Sequence, residues 1–94
     1  ESTVRLGLLR CYGARGDGER WDATLARARA VLAATDELDR EVAELAEAAG
    51  RDADQRGWPH RARVAWAVAE AHWMALGRID DAARVARLSR DPAV

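Results

Sequence analysis

The sequence predicts an all-α protein, and three observations carry that prediction. Alanine supplies 22 of the 94 residues, and with leucine, arginine and glutamate it fills the chain with strong helix formers. β-Branched residues are scarce. Apolar and small residues recur three and four apart, between short clusters of glycine and proline. A chain of this length makes one domain or less and buries only about two thirds of its unfolded surface. The expectation is a single helical domain over residues 1–94, with four or five antiparallel helices. They pair as hairpins or form a small bundle with one long helix.

The first helix is expected over about residues 3–14, with Ser2 and Thr3 as caps and Leu6, Leu8, Leu9, Cys11 and Tyr12 as its apolar cluster. Gly13, Gly16 and Gly18 end it. Gly16-Asp17-Gly18-Glu19 reads as a turn and not a phosphate loop, because no strand precedes it and no Lys-Ser or Lys-Thr pair follows. From Trp21, the positions Ala28, Val31, Thr35, Leu38, Val42, Leu45 and Ala49 continue one face over residues 19–49. A continuous helix of that length would span about 45 Å. Thr35-Asp36 is the natural place to break it, since either side chain caps a new helix near Glu37, yet no glycine or proline enforces the break. Both readings stand on sequence alone. Gly50 either stops this helix or sits inside it, and the chain turns by Gly57. Pro59 suits the first turn of the next helix, over 59–76, where its missing amide hydrogen is no loss. That helix presents Ala62, Trp66, Ala69, Trp73 and Leu76 on one face, with Ala65, Val68, His72 and Ala75 alongside. Gly77 closes it, Ile79 is expected to pack into the corner, and Asp80 and Asp81 open a last helix over 79–90 with a narrow Ala82, Ala83, Ala86, Ser89 face.

Fifteen arginines and sixteen acidic residues give a net charge of −1, mixed along the chain, which argues against a nucleic-acid footprint. No apolar run approaches a membrane span, and the single cysteine forms no internal disulfide, so a reducing, cytoplasmic setting is expected. The chain starts at Glu1 and ends at Pro92-Ala93-Val94, which is read as a segment of a longer protein.

Few residues point to chemistry. His60 and His72 are twelve apart and belong to no metal-ligand spacing, so no metal or other cofactor is expected. Cys11 lies near Arg10 and Arg15 but has no base, and reads as a packing residue. Two serines and two histidines build no catalytic triad. Glu37, Glu41, Glu44 and Glu47 read as a solvated or partner-facing acidic flank, with Glu47-Arg51 and Asp36-Arg40 as ordinary helix pairs. Four tryptophans in a chain without phenylalanine are the sharper signal. Trp66 and Trp73 read as core, while Trp21 or Trp58, beside turns, reads as an interface anchor.

Residues 61–92 resemble a tetratricopeptide repeat, of the kind found in actinobacterial regulators and scaffold proteins. Trp66, Trp73, Gly77, Ile79, Ala82 and Ala86 stand at its signature positions, and Ala75-Leu76-Gly77-Arg78-Ile79-Asp80-Asp81-Ala82-Ala83 is similar to its turn. Ala69, Glu70 and Ser89 depart from the pattern. Gly16 and Gly77 lie 61 residues apart, which is no multiple of the usual period of about 34. The resemblance implies a non-enzymatic protein-interaction segment whose groove is lined by Val64, Ala67, Ala71, Met74 and Ala75 and takes a protein or peptide partner.

Two other readings compete. The Trp21 to Ala49 stripe, if continuous, is a seam for a homodimeric helical bundle with a structural role. Leu38-Asp39-Arg40-Glu41 resembles the start of the first helix of chorismate mutases, which implies a small helical enzyme holding an anionic substrate through arginines. Helix connectivity at Thr35-Asp36 discriminates most sharply between stacked pairs and a long seam.

Overall fold

The computed structural model describes residues 2–36 and 38–90, which form five helices and no strand. Glu37, from the supposed acidic flank, and residues 91–94, which include the end of the repeat-like segment at Pro92, lie outside the described residues. The helices are α1 (Ser2–Ala14), α2 (Gly18–Thr35), α3 (Arg40–Gln55), α4 (Pro59–Ala75) and α5 (Ile79–Arg90).

Three of the four connections are one device repeated. At each, a glycine adopts the left-handed conformation that a Cβ disfavours: Gly16 (φ 69°), Gly57 (φ 81°) and Gly77 (φ 75°). The residue after the glycine then donates its N–H five residues back, from Asp17 to Tyr12 O, Trp58 to Ala53 O and Arg78 to Trp73 O, each at 2.9 Å. The glycine itself donates three residues back, to Gly13 O, Asp54 O and Met74 O. These paired bonds satisfy the last carbonyls of α1, α3 and α4 and reverse the chain within two residues, which produces tight antiparallel hairpins. Asp17 caps α2 by accepting from the N–H of Arg20, and Pro59 occupies the first turn of α4.

The connection from α2 to α3 differs, and of the two readings of residues 19–49 the chain adopts the one broken at Thr35-Asp36. Asp36 adopts a left-handed conformation (φ 53°) and Asp39 an extended one (φ −145°, ψ 122°), so the helix stops at Thr35 and restarts at Arg40. Aspartate tolerates the left-handed region better than most residues, which lets the chain break here without glycine. The Asp39 carboxylate accepts from the N–H of Glu41 at 2.9 Å and caps α3. Its own N–H donates to His72 Nε2 at 2.9 Å, fastening the link to α4. Leu38, on the supposed seam, is 56% exposed, whereas Trp21, Ala28, Val42 and Ala49 lie within the chain's own core. No continuous seam therefore reaches the surface. α3 also runs beyond Ala49 to Gln55, with Gly50 inside it.

The helices form two layers, with α1, α3 and α5 in one and α2 and α4 in the other. α1 packs on α2 and α3, α4 packs on α3 and α5, and α2 only touches α4. The core joins Leu6 and Leu9 of α1, Trp21 and Leu25 of α2, Val42, four alanines and Gly50 of α3, Trp66, Val68 and Trp73 of α4, and Val85 of α5. Small residues let α3 and α4 approach until the Trp66 indole lies on the backbone of Gly50, where an added Cβ would stand 2.9 Å from Cε2 and closer still to Cδ1 and Nε1. Gly50 is a contact, not a stop. Ile79 is exposed and does not fill the corner before α5.

Candidate functional site

α2 and α4 run side by side in the same direction and are tied at both ends. At the start of each helix, Arg61 grips Asp22 with two hydrogen bonds, Nε to Oδ1 at 2.8 Å and Nη2 to Oδ2 at 3.1 Å. The same guanidinium lies over the Trp58 ring, 4.7 Å from its centroid, and Trp58 meets Trp21 edge to face at 6.4 Å. At the far end stands the Asp39 to His72 bond. Between these ties lies a trough. One part, of about 330 Å³, is lined by Leu32, Ala33, Leu38, Ala67, Val68, Ala71 and Ala75, with Arg29, Asp36 and His72 at its edges. A second part, of about 230 Å³, continues past Arg29 to Leu25, Ala26, His60 and Val64.

Of the residues expected to meet a partner, some line the trough and others do not. Val64, Ala67, Ala71 and Ala75 repeat every three or four residues on α4 and line the trough. Met74 is exposed on α4 but lines neither part of it. Trp21 is 1% exposed and so offers no surface to a partner. Its place in the first turn of α2 puts it against Trp58 and not in solvent. Trp58 is half-buried in the same latch.

The opposite layer holds a second feature, built around a carboxylate expected on a solvated or partner-facing flank. Glu47 is 5% exposed, among Ala43, Ala46 and Gly50 on the buried face of α3. Arg84 of α5 donates to both its oxygens, Nε to Oε2 at 3.0 Å and Nη2 to Oε1 at 2.8 Å. Arg51 Nη2 donates to Oε2 at 2.8 Å, and Trp73 Nε1 to Oε1 at 3.3 Å. Burial pushes the Glu47 carboxyl up, but the hydrogen bonds from Arg84 and Trp73 and the charges of Arg84 and Arg51 outweigh it and hold it below its ordinary value of 4.5. Arg84 also donates to Asp81, which in turn pairs with Arg78 at 2.8 Å. The Arg78 guanidinium stacks over Trp73, 5.3 Å from its centroid. Bonds to Glu47 and then Asp81 raise the Arg84 pKa, and those from Arg84 and Arg78 lower that of Asp81. The network joins α3, α4 and α5, as buried charge requires.

Other candidates are chemically plain. Cys11 is exposed, contrary to the packing role expected of it, and His60 is exposed. His72 is buried and accepts a backbone hydrogen bond. Among the described residues, no group of three or more histidine, cysteine, aspartate or glutamate side chains is placed to hold a metal ion. No helix among them is long and apolar enough to cross a membrane. Arg40, singled out by the chorismate mutase resemblance, faces Glu44 at 3.6 Å.

Comparison with protein-family models, curated proteins and solved structures finds no match to this chain.

Proposed function

We propose that the chain is a non-enzymatic protein-interaction module, a tetratricopeptide-like segment of a regulatory or scaffold protein, whose α2–α4 trough receives an amphipathic helix of a partner. One observation carries this reading: two neighbouring helices, tied by Arg61–Asp22 at their starts and by the link after α2 near the end of α4, leave a concave apolar surface floored by alanines. Ala67, Ala71 and Ala75 let a visiting helix approach closely, while Leu32 and Leu38 flank it as apolar walls. Arg29 stands midway, where it favours a carboxylate on the partner's helix. The repetition of one glycine turn at three helix ends, with successive helices alternating between two layers, also supports a hairpin-repeat character.

The test is a titration of 15N-labelled protein with an 11-residue helical peptide, about three turns long, carrying leucines at i, i+3, i+4 and i+7 and one glutamate on the same face. Amide shifts at Leu32, Ala67, Ala71 and Ala75 are expected, and Ala71→Glu, at an exposed site, abolishes them without altering circular dichroism. No shift at millimolar peptide, or shifts confined to another surface, would overturn the reading. So would a dimer in sedimentation equilibrium that Ala71→Glu disrupts, because the trough would then belong to a second copy.

A further inference from the structure

We propose that the cleft between α1, α3 and α5 docks an acidic peptide segment of a partner protein. It opens on the layer opposite the trough and does not rest on the trough reading. The cleft encloses about 620 Å³, and five arginines line it: Arg10 from α1, Arg40 and Arg51 from α3, Arg78 from the turn before α5, and Arg84 from α5. Glu44, Glu47, Asp52 and Asp81 line it too, so formal charges nearly cancel. A visiting chain meets something different. The side chains of Arg40, Arg51, Arg78 and Arg84 are 66%, 54%, 48% and 45% exposed, whereas those of Glu47 and Asp81 are 7% and 16% exposed; Glu44, beside Arg40, is the one lining carboxylate of comparable exposure, at 53%. Asp52 is held by Arg56 at 2.8 Å. Most of the carboxylates thus sit behind the guanidinium groups, and the outward face is cationic.

That face also has donors to spare. Arg51 gives Glu47 one hydrogen bond, and Arg10 makes no ion pair with the described residues. Each guanidinium fork presents paired N–H groups that match a carboxylate. Spacing decides the class of ligand. Arg40 and Arg51 lie eleven residues apart on one face of α3, or about 16 Å, too far for one small anion to bridge. An extended peptide rises about 3.3 Å per residue, so acidic side chains four to six residues apart reach both. The Glu47–Arg84–Asp81–Arg78 network fixes the floor of the cleft before anything binds, which lowers the ordering cost of docking.

The probe is a fluorescein-labelled decapeptide of alternating glutamate and aspartate, followed by anisotropy in 20 and 200 mM NaCl, with the tryptophan indole N–H resonances recorded in parallel. Binding that weakens severalfold at the higher salt is expected, together with a shift of the Trp73 indole, which borders the cleft, and none of Trp21 or Trp66. The double variant Arg10→Gln/Arg40→Gln, at exposed positions outside the Glu47 network, is expected to bind on the order of tenfold more weakly with unchanged circular dichroism. Absence of binding at low salt, equal binding of a glutamine-serine decapeptide, or indifference to the double variant would overturn the proposal. Displacement of the peptide by equimolar inorganic phosphate, or tighter binding of a single-stranded oligonucleotide, would also overturn it by assigning the cleft to another ligand.

Discussion

Replacing Gly50 by alanine sets two well-defined effects against each other. In a free helix the change stabilises, by about 1 kcal/mol. In this chain the new methyl group meets the indole of Trp66, already 2.9 Å away at Cε2 and nearer at Cδ1 and Nε1, whereas comfortable contact lies at about 3.5–4 Å. Trp66 is 5% exposed and rigid, so either the ring leaves its rotamer or α4 moves off α3. Overpacking of this kind costs about 1–3 kcal/mol, and a rigid ring in the most extensive helix contact places it at the upper end. The net expectation is a loss of about 2 kcal/mol, which for a domain of this size lowers Tm by about 8–16 °C. Gly7→Ala is the matched control, because Gly7 lies inside α1 with no heavy atom within 4 Å of an added Cβ. There only the propensity gain operates, and Tm rises by a few degrees. Urea and thermal unfolding of both variants decide the matter. If Gly50→Ala is as stable as the parent, or the two substitutions shift Tm in the same direction, the close approach of α3 and α4 is not what Gly50 provides.

Two further outcomes follow from the polar ties. Glu47 has a folded-state pKa below its ordinary 4.5, so its stabilisation is complete above about pH 4.5 and is lost as pH falls through the lowered folded value. Glu47→Gln is therefore expected to be less stable by about 2 kcal/mol at pH 7, discounted for its half-exposed arginine partners, and the gap to the parent closes on acidification; a gap constant from pH 7 to pH 3 would contradict this. His72→Ala removes the acceptor of the Asp39 N–H and is expected to cost about 1–2 kcal/mol. Hydrogen exchange at Asp39 speeds up accordingly, and an unchanged exchange rate there would show that the link is held by something else.

Local signals in the sequence were legible where the structure uses local chemistry. Gly57 and Gly77 read as helix ends because a left-handed residue after a helix is a one-residue requirement, and Pro59 reads as a helix start because its fixed φ and missing N–H suit a first turn. Trp66 and Trp73 read as core because an alanine-rich interior needs large side chains. The break at Asp36 was less legible, since the three-four spacing of small and apolar residues runs straight across it through Leu38, and aspartate is a weak stop. Glu47 was misread because its decisive partner, Arg84, lies 37 residues away on another helix. A signal existed: Glu47 falls between Ala43, Ala46 and Gly50 on one face, and a carboxylate among small residues requires a cation from elsewhere. Trp21 was misread because nearness to a turn says little about exposure when a second tryptophan and an arginine close over it.

The end ties of the trough have a consequence for what fits within it. Arg61 and His72 are eleven residues apart on α4, so the cross-links stand about 16 Å from one another. A helix lying lengthwise between them has room for about three turns before it meets the Arg61–Asp22 bar on one side or the Asp39 link on the other. The trough thus measures its occupant by length as well as by polarity, and a longer helix engages fully only by crossing at an angle or by displacing one of the bars.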